Sequence, residues 1–309
     1  MKNIRQFIPN SVRRHKAFEI ASRMYLHGFI DNVSRLNLYI FYVVARARSG
    51  GSPKTVVFYP EKPQQFHELY HLMRVLGYRV SNNLSKPADL VVSFEDITIR
   101  HNDPDLSSVA SRRKVINYGA TDISKTHVDQ VFSQVFKYSS LIDPRTFKGK
   151  AVMKSDLNGR HDGKIVDFPR KPKTGYIYQK LIRTDTDQTV IDIRVLICGE
   201  SIPFVYFKYH PNTQRFESSE SWFDCHKTED VFSPKEISLM LKFAKNIGLD
   251  FGELDVLRDV EDGRIYIVDA NNTPSRPPVG FSIKHQLTDT RDLAKAFERT
   301  FIKLDTQSN

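Results

Sequence analysis

At 309 residues the chain has room for about two domains of ordinary size. Its 40% hydrophobic and 27% charged side chains describe a globular chain able to bury a core, which excludes collagen-like, low-complexity and disordered classes. Two cysteines, Cys198 in VLICGE and Cys225 in SWFDCH, form neither a disulfide framework nor CxxC metal spacing, so a reducing, cytoplasmic setting is expected. The net charge of +10 is uneven: residues 1–50 hold nine basic and two acidic side chains, and the other 259 hold 37 and 34. A uniform nucleic-acid footprint, and with it a nucleic-acid partner, is not expected.

The basic segment carries an apolar helical stripe at Phe18, Ala21, Tyr25, Phe29, Val33, Leu36, Ile40 and Val44, interspersed with Arg14, Arg23, Arg35, Arg46 and Arg48. It reads as one or two amphipathic helices broken near Gly28. The most apolar stretch, Leu36 to Ala45, is ten residues long against the roughly 20 needed to cross a bilayer, and it lies too far from Met1 for a secretory signal. Two readings stay open: helices packed on the first domain, or a surface that docks on anionic lipid at the inner face of a membrane or on an acidic partner.

Beyond the loop ARSGGSPK, residues 51–120 alternate strands and helix as a small α/β domain does. Strands are predicted at Lys54 to Pro60, Asp89 to Glu95 and Lys114 to Tyr118. A helix is predicted through Phe66, Leu69, Tyr70, Met73 and Leu76, closed by Gly77. No GxGxxG or GxxxxGKS loop follows any of these strands.

From residue 121 the chain changes character. A helix from Ile123 to Tyr138 begins beside Lys125, and GKAVMKS (Gly149 to Ser155) is a strand with Met153 and Lys154 on opposite faces. The polar loop DLNGRHDGK follows. A lysine beside such a loop suits a phosphate, and also suits plain solvation. YIYQKLIRTDTD (Tyr176 to Asp187) is a strand running into a polar turn. Two further strands, joined at Gly199 to Ser201, follow; Asp192 and Arg194 alternate there with Ile191, Ile193 and Val195, and Lys208 lies on the second of them. Arg194 suits either solvent or an anion in a cleft.

Residues 234–247 are the best-marked helix: Ser233 as N-cap, Pro234 at the first position, Glu236 completing a capping box and Gly248 at the end. Its predicted buried side is Ile237, Leu241, Ala244 and Ile247. The hairpin FGELDVLRDVEDGRIYIVDANNTP comes next. A three-residue loop Glu261-Asp262-Gly263 places Asp255 directly opposite Asp269, with Asn271 on the same face; a two-residue loop sends the carboxylates to opposite faces. Two carboxylates about 5 Å apart repel unless a cation or a proton lies between them, so the first register predicts a Mg²⁺ site and the second a solvated hairpin.

Lysine, lysine, hinge strand, Arg and a carboxylate hairpin ending in Asp-x-Asn-x-x-Pro, in that order over residues 121 to 280, resemble the ATP-grasp superfamily and its glutathione synthetase-like carboxylate-amine and carboxylate-thiol ligases. The resemblance implies an α+β fold in which two subdomains, residues 121–183 and 184–309, clasp ATP, preceded by a small α/β domain at 51–120 and the basic helical segment at 1–50. It implies that Lys125 and Lys154 hold the phosphates and that Asp156 to Gly163, including Asn158 and Gly159, form the lid. It places Gln179, Lys180 and the backbone of Leu181 and Ile182 beside adenine, and Asp185 or Asp187 on the ribose. Arg194 and Lys208 would neutralise the transferred phosphoryl group, and Asp255, Asp269 and Asn271 would bind one or two Mg²⁺, with Mn²⁺ as an alternative ion. The family commonly has Glu where Asp269 stands, Gln-Glu at the hinge and more glycine in the lid.

The implied reaction is ATP-dependent joining of a carboxylate and an amine through an acyl phosphate, which needs positioning and charge neutralisation more than a protein nucleophile. Arg276, in NNTPSRPP, is the candidate for the substrate carboxylate, and a peptide, amino acid or amino-sugar the expected substrate. Specificity is expected from loops such as His210 to Lys227, with Arg215, Trp222 and His226. Two other classes remain: a small-molecule or sugar kinase using the same apparatus, and a non-catalytic binding protein docked through residues 1–50.

Overall fold

A computed structural model describes residues 54–186, 189–211, 222–275 and 283–302, together with residue 40. The helical reading of residues 1–50 therefore falls outside the described residues but for that one position, as do Asp187, Arg215 and Arg276. The chain divides into two units, residues 1–50 and 51–309, and every element below belongs to the second.

The first sheet is parallel. It consists of β1 (Thr55–Pro60), β2 (Arg79–Ser81), β3 (Leu90–Phe94) and β4 (Val115–Ile116) in the order β2-β1-β3-β4, with helices α1 (Glu68–Leu76) and α2 (Pro104–Ala110) in the crossovers. All five residues of β3 are buried, as expected for a strand covered on both faces. Phe66, read as part of the helical stripe, instead precedes α1 and is 54% exposed; Leu69, Leu72 and Met73 form the buried stripe. β4 is shorter than expected because the chain turns at Asn117, where φ is +59°. The Asn117 side chain then crosses to the second half of the chain: Oδ1 accepts from the Asp250 and Phe251 amides at 2.9 Å each, and Nδ2 donates to the Phe251 carbonyl at 2.7 Å.

Helix α3 (Lys125–Phe136) is capped by Ser124, whose hydroxyl accepts from the His127 amide. It leads to an antiparallel sheet of β5 (Gly149–Ser155), β6 (Lys164–Phe168) and β7 (Tyr176–Lys180), in the order β6-β5-β7. Ala151, Met153, Phe168 and Tyr178 form its own core, which leaves Val152 and Lys154 on the opposite face.

The third sheet is antiparallel: β8 (Asp185–Thr186), β9 (Thr189–Cys198), β10 (Val205–Pro211), β11 (Trp222–His226), β12 (Phe251–Arg258) and β13 (Ile265–Asn271). Its path is β11-β10-β9-β12-β13, with β8 paired to β9. Helix α4 (Pro234–Asn246) has the expected capping box of Ser233 and Glu236. Its buried face is Met240, Phe243 and Ala244; Ile237 and Leu241 are only half-buried, so the helix sits turned by about one residue from the predicted stripe. α3 and α4 share one hydrophobic core with Val195, Val205, Leu254, Val256 and Ile267 of the sheet, and α5 (Ile283–Phe297) continues into one wider turn at Glu298–Ile302. With the helix side apolar, alternation sends the other residues of β9, β10, β12 and β13 to the far face. No helix among the described residues is long and apolar enough to cross a membrane.

Gly248, just past α4, fixes the join between the first sheet and this core. Its φ is +78°, and a Cβ there would lie 2.3 Å from the Gly119 carbonyl carbon. Gly248→Ala therefore combines backbone strain with a backbone clash, and urea unfolding is expected to show a loss of about 3 kcal/mol. A loss under about 1 kcal/mol would mean that the two backbones separate freely.

Candidate active site

The polar face of the third sheet is set by the β12–β13 hairpin. Asp255 does pair directly with Asp269, and Glu253 with Asn271. The route to that register differs from the expected three-residue loop. The Asp259 amide bonds the Arg264 carbonyl at 2.9 Å and the Gly263 amide the Asp259 carbonyl at 2.9 Å, so the loop is the four residues Val260 to Gly263. Arg258 pairs with Ile265 and Val256 with Ile267, a register that on its own would set Asp255 against Val268. A bulge at Val268 adds one residue to β13 and restores the carboxylate pair. It also takes the Val268 carbonyl out of the regular ladder, and Lys154 Nζ donates to it at 3.2 Å.

Lys154 and Val152 face this hairpin from β5, as does Gln179 from β7, directly opposite Val152. Between the two sheets is a cavity of about 220 Å³ lined by Lys125, Lys154, Gln179, Lys180, Ile182, Asp192, Arg194, Lys208, Asp255 and Asp269, with Gly159 of the expected lid. The structure thus brings the two lysines, the hinge strand, the arginine and the carboxylates to one place. Asn158 and Leu181 are not on its wall. Asn158 instead donates through Nδ2 to the Ala270 carbonyl at 3.0 Å and accepts from Lys125 Nζ at 3.0 Å. Asp185 lies on β8.

Lys125 and Lys154 differ in how engaged they are. Lys125 Nζ donates to the Leu157 carbonyl and to Asn158 Oδ1, both at 3.0 Å, and lies 3.4 Å from Asp269 Oδ2. The loop residue Asp156 is tied to the start of α3 by the Thr126 amide at 2.8 Å and hydroxyl at 3.0 Å. The cavity of about 220 Å³ is smaller than the roughly 300–1,000 Å³ of ordinary ligand pockets, and Leu157, whose carbonyl holds Lys125, is on its wall.

Among the described residues Lys154 donates only to the Val268 carbonyl, and burial pulls its ammonium down to about 8, against the pull of Asp269 in the other direction. Its charge is present below that pH and lost above it. Nucleotide affinity measured without metal is expected to fall between pH 7 and 9.5 in the wild type and to hold in Lys154→Arg, since guanidinium stays protonated throughout. Equal pH dependence in both proteins would remove Lys154 from the phosphate site.

Arg194 is held by acids that the sequence only half disclosed. Its Nε is buried and, among the described residues, makes no hydrogen bond; it lies 3.4 Å from Glu253 Oε1 and 3.9 Å from Asp255 Oδ1. Burial opposes its charge, but Glu253, Asp255 and Asp192 outweigh burial and the guanidinium is held above its ordinary range. Burial pushes the Glu253 carboxyl upward, and Asp255 adds to this against the pull of Arg194. Lys208, opposite Asp192, is shifted downward by burial and by Arg194.

The hinge is braced by residues that carried no motif. Gln179 Nε2 donates to Ser140 Oγ, and the Ser140 carbonyl accepts from the Lys180 amide. Asp129, buried within α3, accepts from the Ser140 amide at 2.8 Å and hydroxyl at 2.6 Å. The Lys180 ammonium turns to the hairpin: it is 2.7 Å from the buried Asp259, 3.5 Å from Asp262 and 3.1 Å from the Tyr266 hydroxyl.

As a metal centre the hairpin offers hard oxygen donors. Burial raises the Asp269 carboxyl above its ordinary range; Lys125 and Lys154 pull it down and Asp255 pushes it up. A cation between the two carboxylates relieves both burial and repulsion. Asn271 Oδ1 already accepts from the Thr273 amide at 2.8 Å and hydroxyl at 3.1 Å, so it joins an ion only by giving up the second bond. No group of three His, Cys, Asp or Glu side chains suited to a metal occurs among the described residues. The donor set is two carboxylates and a carboxamide, and phosphate or water has to fill the remaining positions.

No family model matches the chain, and no curated protein matches its sequence. In three dimensions it is similar to the ATP-grasp ligase PsnB complexed with a phosphomimetic variant of its minimal precursor, Mg and ADP, at 13% identity and TM-score 0.53, over 81% of this chain and 99% of that one. It is also similar to D-alanine–D-alanine ligase from Bacillus anthracis, at 11% identity and TM-score 0.52 over 84% and 100% of the two chains. The same ligase complexed with ATP gives 12% identity and TM-score 0.51, over 82% and 98%.

Proposed function

We propose that this chain, which has the ATP-grasp fold, is an ATP- and Mg²⁺-dependent ligase that joins a carboxylate to an amine through an acyl phosphate. One observation carries the reading: Asp255 and Asp269 face each other on the wall of a cavity that Lys154, Lys125, Arg194 and the hinge strand also line.

In this reading Gln179, Lys180 and the Leu181–Ile182 backbone hold the base, with Asp185 or Asp187 on the ribose. Lys154 and, once released by Leu157 and Asn158, Lys125 hold phosphate oxygens. Mg²⁺ held by Asp255, Asp269 and Asn271 would neutralise charge on the phosphates as it accumulates in transfer. Arg194, fixed by Glu253 and Asp255, faces the transferred group, with Lys208 beside it. A substrate carboxylate oxygen attacks the γ-phosphorus and ADP leaves. The ammonium of the second substrate gives up one proton, and the resulting amine attacks the acyl carbon. The C–N bond forms and the nitrogen loses a second proton, the C–O bond to phosphate breaks, and of the two protons one is taken by the departing phosphate and the other passes to solvent. Arg276 is assigned to the substrate carboxylate, and a peptide or amino acid is the substrate class that the neighbouring ligases favour.

The test is a panel of carboxylic acids with ATP, Mg²⁺ and hydroxylamine as a small surrogate amine. A ligase gives equal amounts of hydroxamate and inorganic phosphate. ADP without free phosphate, together with a phosphorylated hydroxyl product, would replace this reading by a kinase.

A further inference from the structure

A second cavity, of about 410 Å³, lies on the other side of the carboxylate pair. Arg194, Asp255 and Asp269 belong to both walls, so the two cavities meet at the point where a phosphoryl group would be transferred. The second wall adds His67, Asp96 and Glu253. His67 contributes no charge: burial lowers its pKa, and its Nδ1 accepts from the Gln64 amide at 2.9 Å. Asp96 lies at the exposed rim, where it accepts from the Thr273 hydroxyl at 3.3 Å.

Glu253 is the unusual group. It is 7% exposed, and among the described residues its only ion pair is the 3.4 Å contact with Arg194 Nε and it accepts no hydrogen bond. Its oxygens are not among the fully buried atoms left without a partner, so the small exposed part of the residue keeps them open to a ligand. Its open oxygen positions line the second cavity. Along β12 it stands two residues from Asp255, a separation of about 7 Å, on the same face. A group bound by Glu253 therefore sits one small substrate's length from the transfer point.

The charge of this wall selects the occupant. If Asp255 and Asp269 hold a metal ion, Arg194 is the one Lys or Arg left among the described residues of the wall, with His161 beside the shared part, and it also faces the nucleotide cavity. Glu253 and Asp96 are then acids turned toward whatever enters from the rim. A second carboxylate or phosphate would be repelled by both, whereas an ammonium supplies the donors that Glu253 lacks.

We propose that this second cavity is the amine subsite, and that Glu253 is the residue that recognises the ammonium group of the incoming amine, with Asp96 attracting it at the rim. This rests on the ligase reading above, and it adds the charge class of the second substrate and the residue that selects it.

The test uses the full chain with Mg²⁺ and the non-hydrolysable analogue AMPPNP, titrated by saturation-transfer NMR with L-alaninamide and 1,4-diaminobutane and, as uncharged control, N-acetyl-L-alaninamide. In the wild type at least one amine is expected to bind and the acetylated control not to. Glu253→Gln, which keeps the shape, should weaken amine binding by about ten- to a hundredfold, the loss that accompanies a buried charge-assisted hydrogen bond. Asp96→Asn, at an exposed position that does not endanger folding, should weaken it by a few-fold. Binding of the amines unchanged in Glu253→Gln, equal binding of the acetylated control, or no amine bound by the nucleotide-loaded wild type would each overturn the assignment. Failure of AMPPNP itself to bind, read in the titration without amine, would instead overturn the ligase reading beneath it.

Discussion

Asp269→Asn is expected to cost about three orders of magnitude in Mg²⁺-dependent turnover and to leave the fold standing. The loss corresponds to several kcal/mol of charge stabilisation at the transferred phosphate. The binding readout is separate: nucleotide at about 100 times its dissociation constant stabilises a protein by about 2.7 kcal/mol, and the Mg²⁺-dependent part of that should vanish in the variant. The apoprotein should change little, because Asp269 is a poorly placed charge. Its carboxyl is raised by burial and by Asp255, so the folded state holds its proton more tightly than the unfolded chain does. The stability this confers is complete below the ordinary carboxylate range and is lost as pH rises through the raised value. Asparagine removes that dependence. Relative to wild type, Asp269→Asn should therefore be more favourable at pH 7 than at pH 4, as measured by urea unfolding at the two values. A variant that is less favourable at pH 7 would mean that the ion pair with Lys125 outweighs burial, and wild-type turnover would dismiss the metal assignment altogether.

The same carboxylate shows how far a sequence argument reaches. Alternation along β9 was legible, because Asp192 and Arg194 interrupt an otherwise apolar strand, and so was the capping box of α4, whose chemistry is local to four residues. The pairing of Asp255 with Asp269 was reached through a shorter loop than the one that forms. A bulge at Val268 compensates for the longer turn, and nothing in VDAN announces a bulge. Glu253 carries no signal in the sequence, because an acid on an alternating strand reads as solvent-facing; its burial depends on Arg194, which is 59 positions away along the chain and on the adjacent strand of the sheet. Asn117, Asp129, Ser140 and Asp259 were silent for a related reason. Each satisfies buried backbone or charge across an interface between elements, and such partnerships have no period for a sequence to display.

Arg194 is where stability and chemistry are hardest to separate, and a pair of substitutions separates them. Arg194→Met should lower turnover by about a hundred- to thousandfold, the usual consequence of removing one preorganised charge from a transfer site. It should also destabilise the protein by about 3–5 kcal/mol, because Glu253 is left buried without its counter-ion. The activity loss alone is then ambiguous. Adding Glu253→Gln removes the stranded charge, so the double variant should recover stability to within about 1 kcal/mol of wild type, while its phosphate release at saturating hydroxylamine stays about a hundred- to thousandfold below that of Glu253→Gln alone, the reference that carries any loss of amine binding. If stability and turnover recover together, Arg194 serves only as the counter-ion of Glu253, and Lys208 and the lysines carry the phosphoryl charge. If stability does not recover, the guanidinium is held chiefly by Asp255 and by the Phe223 ring 5.6 Å beneath it. Unfolding and turnover measured on the same four proteins decide among these outcomes, because stability follows the buried pair and turnover follows the guanidinium.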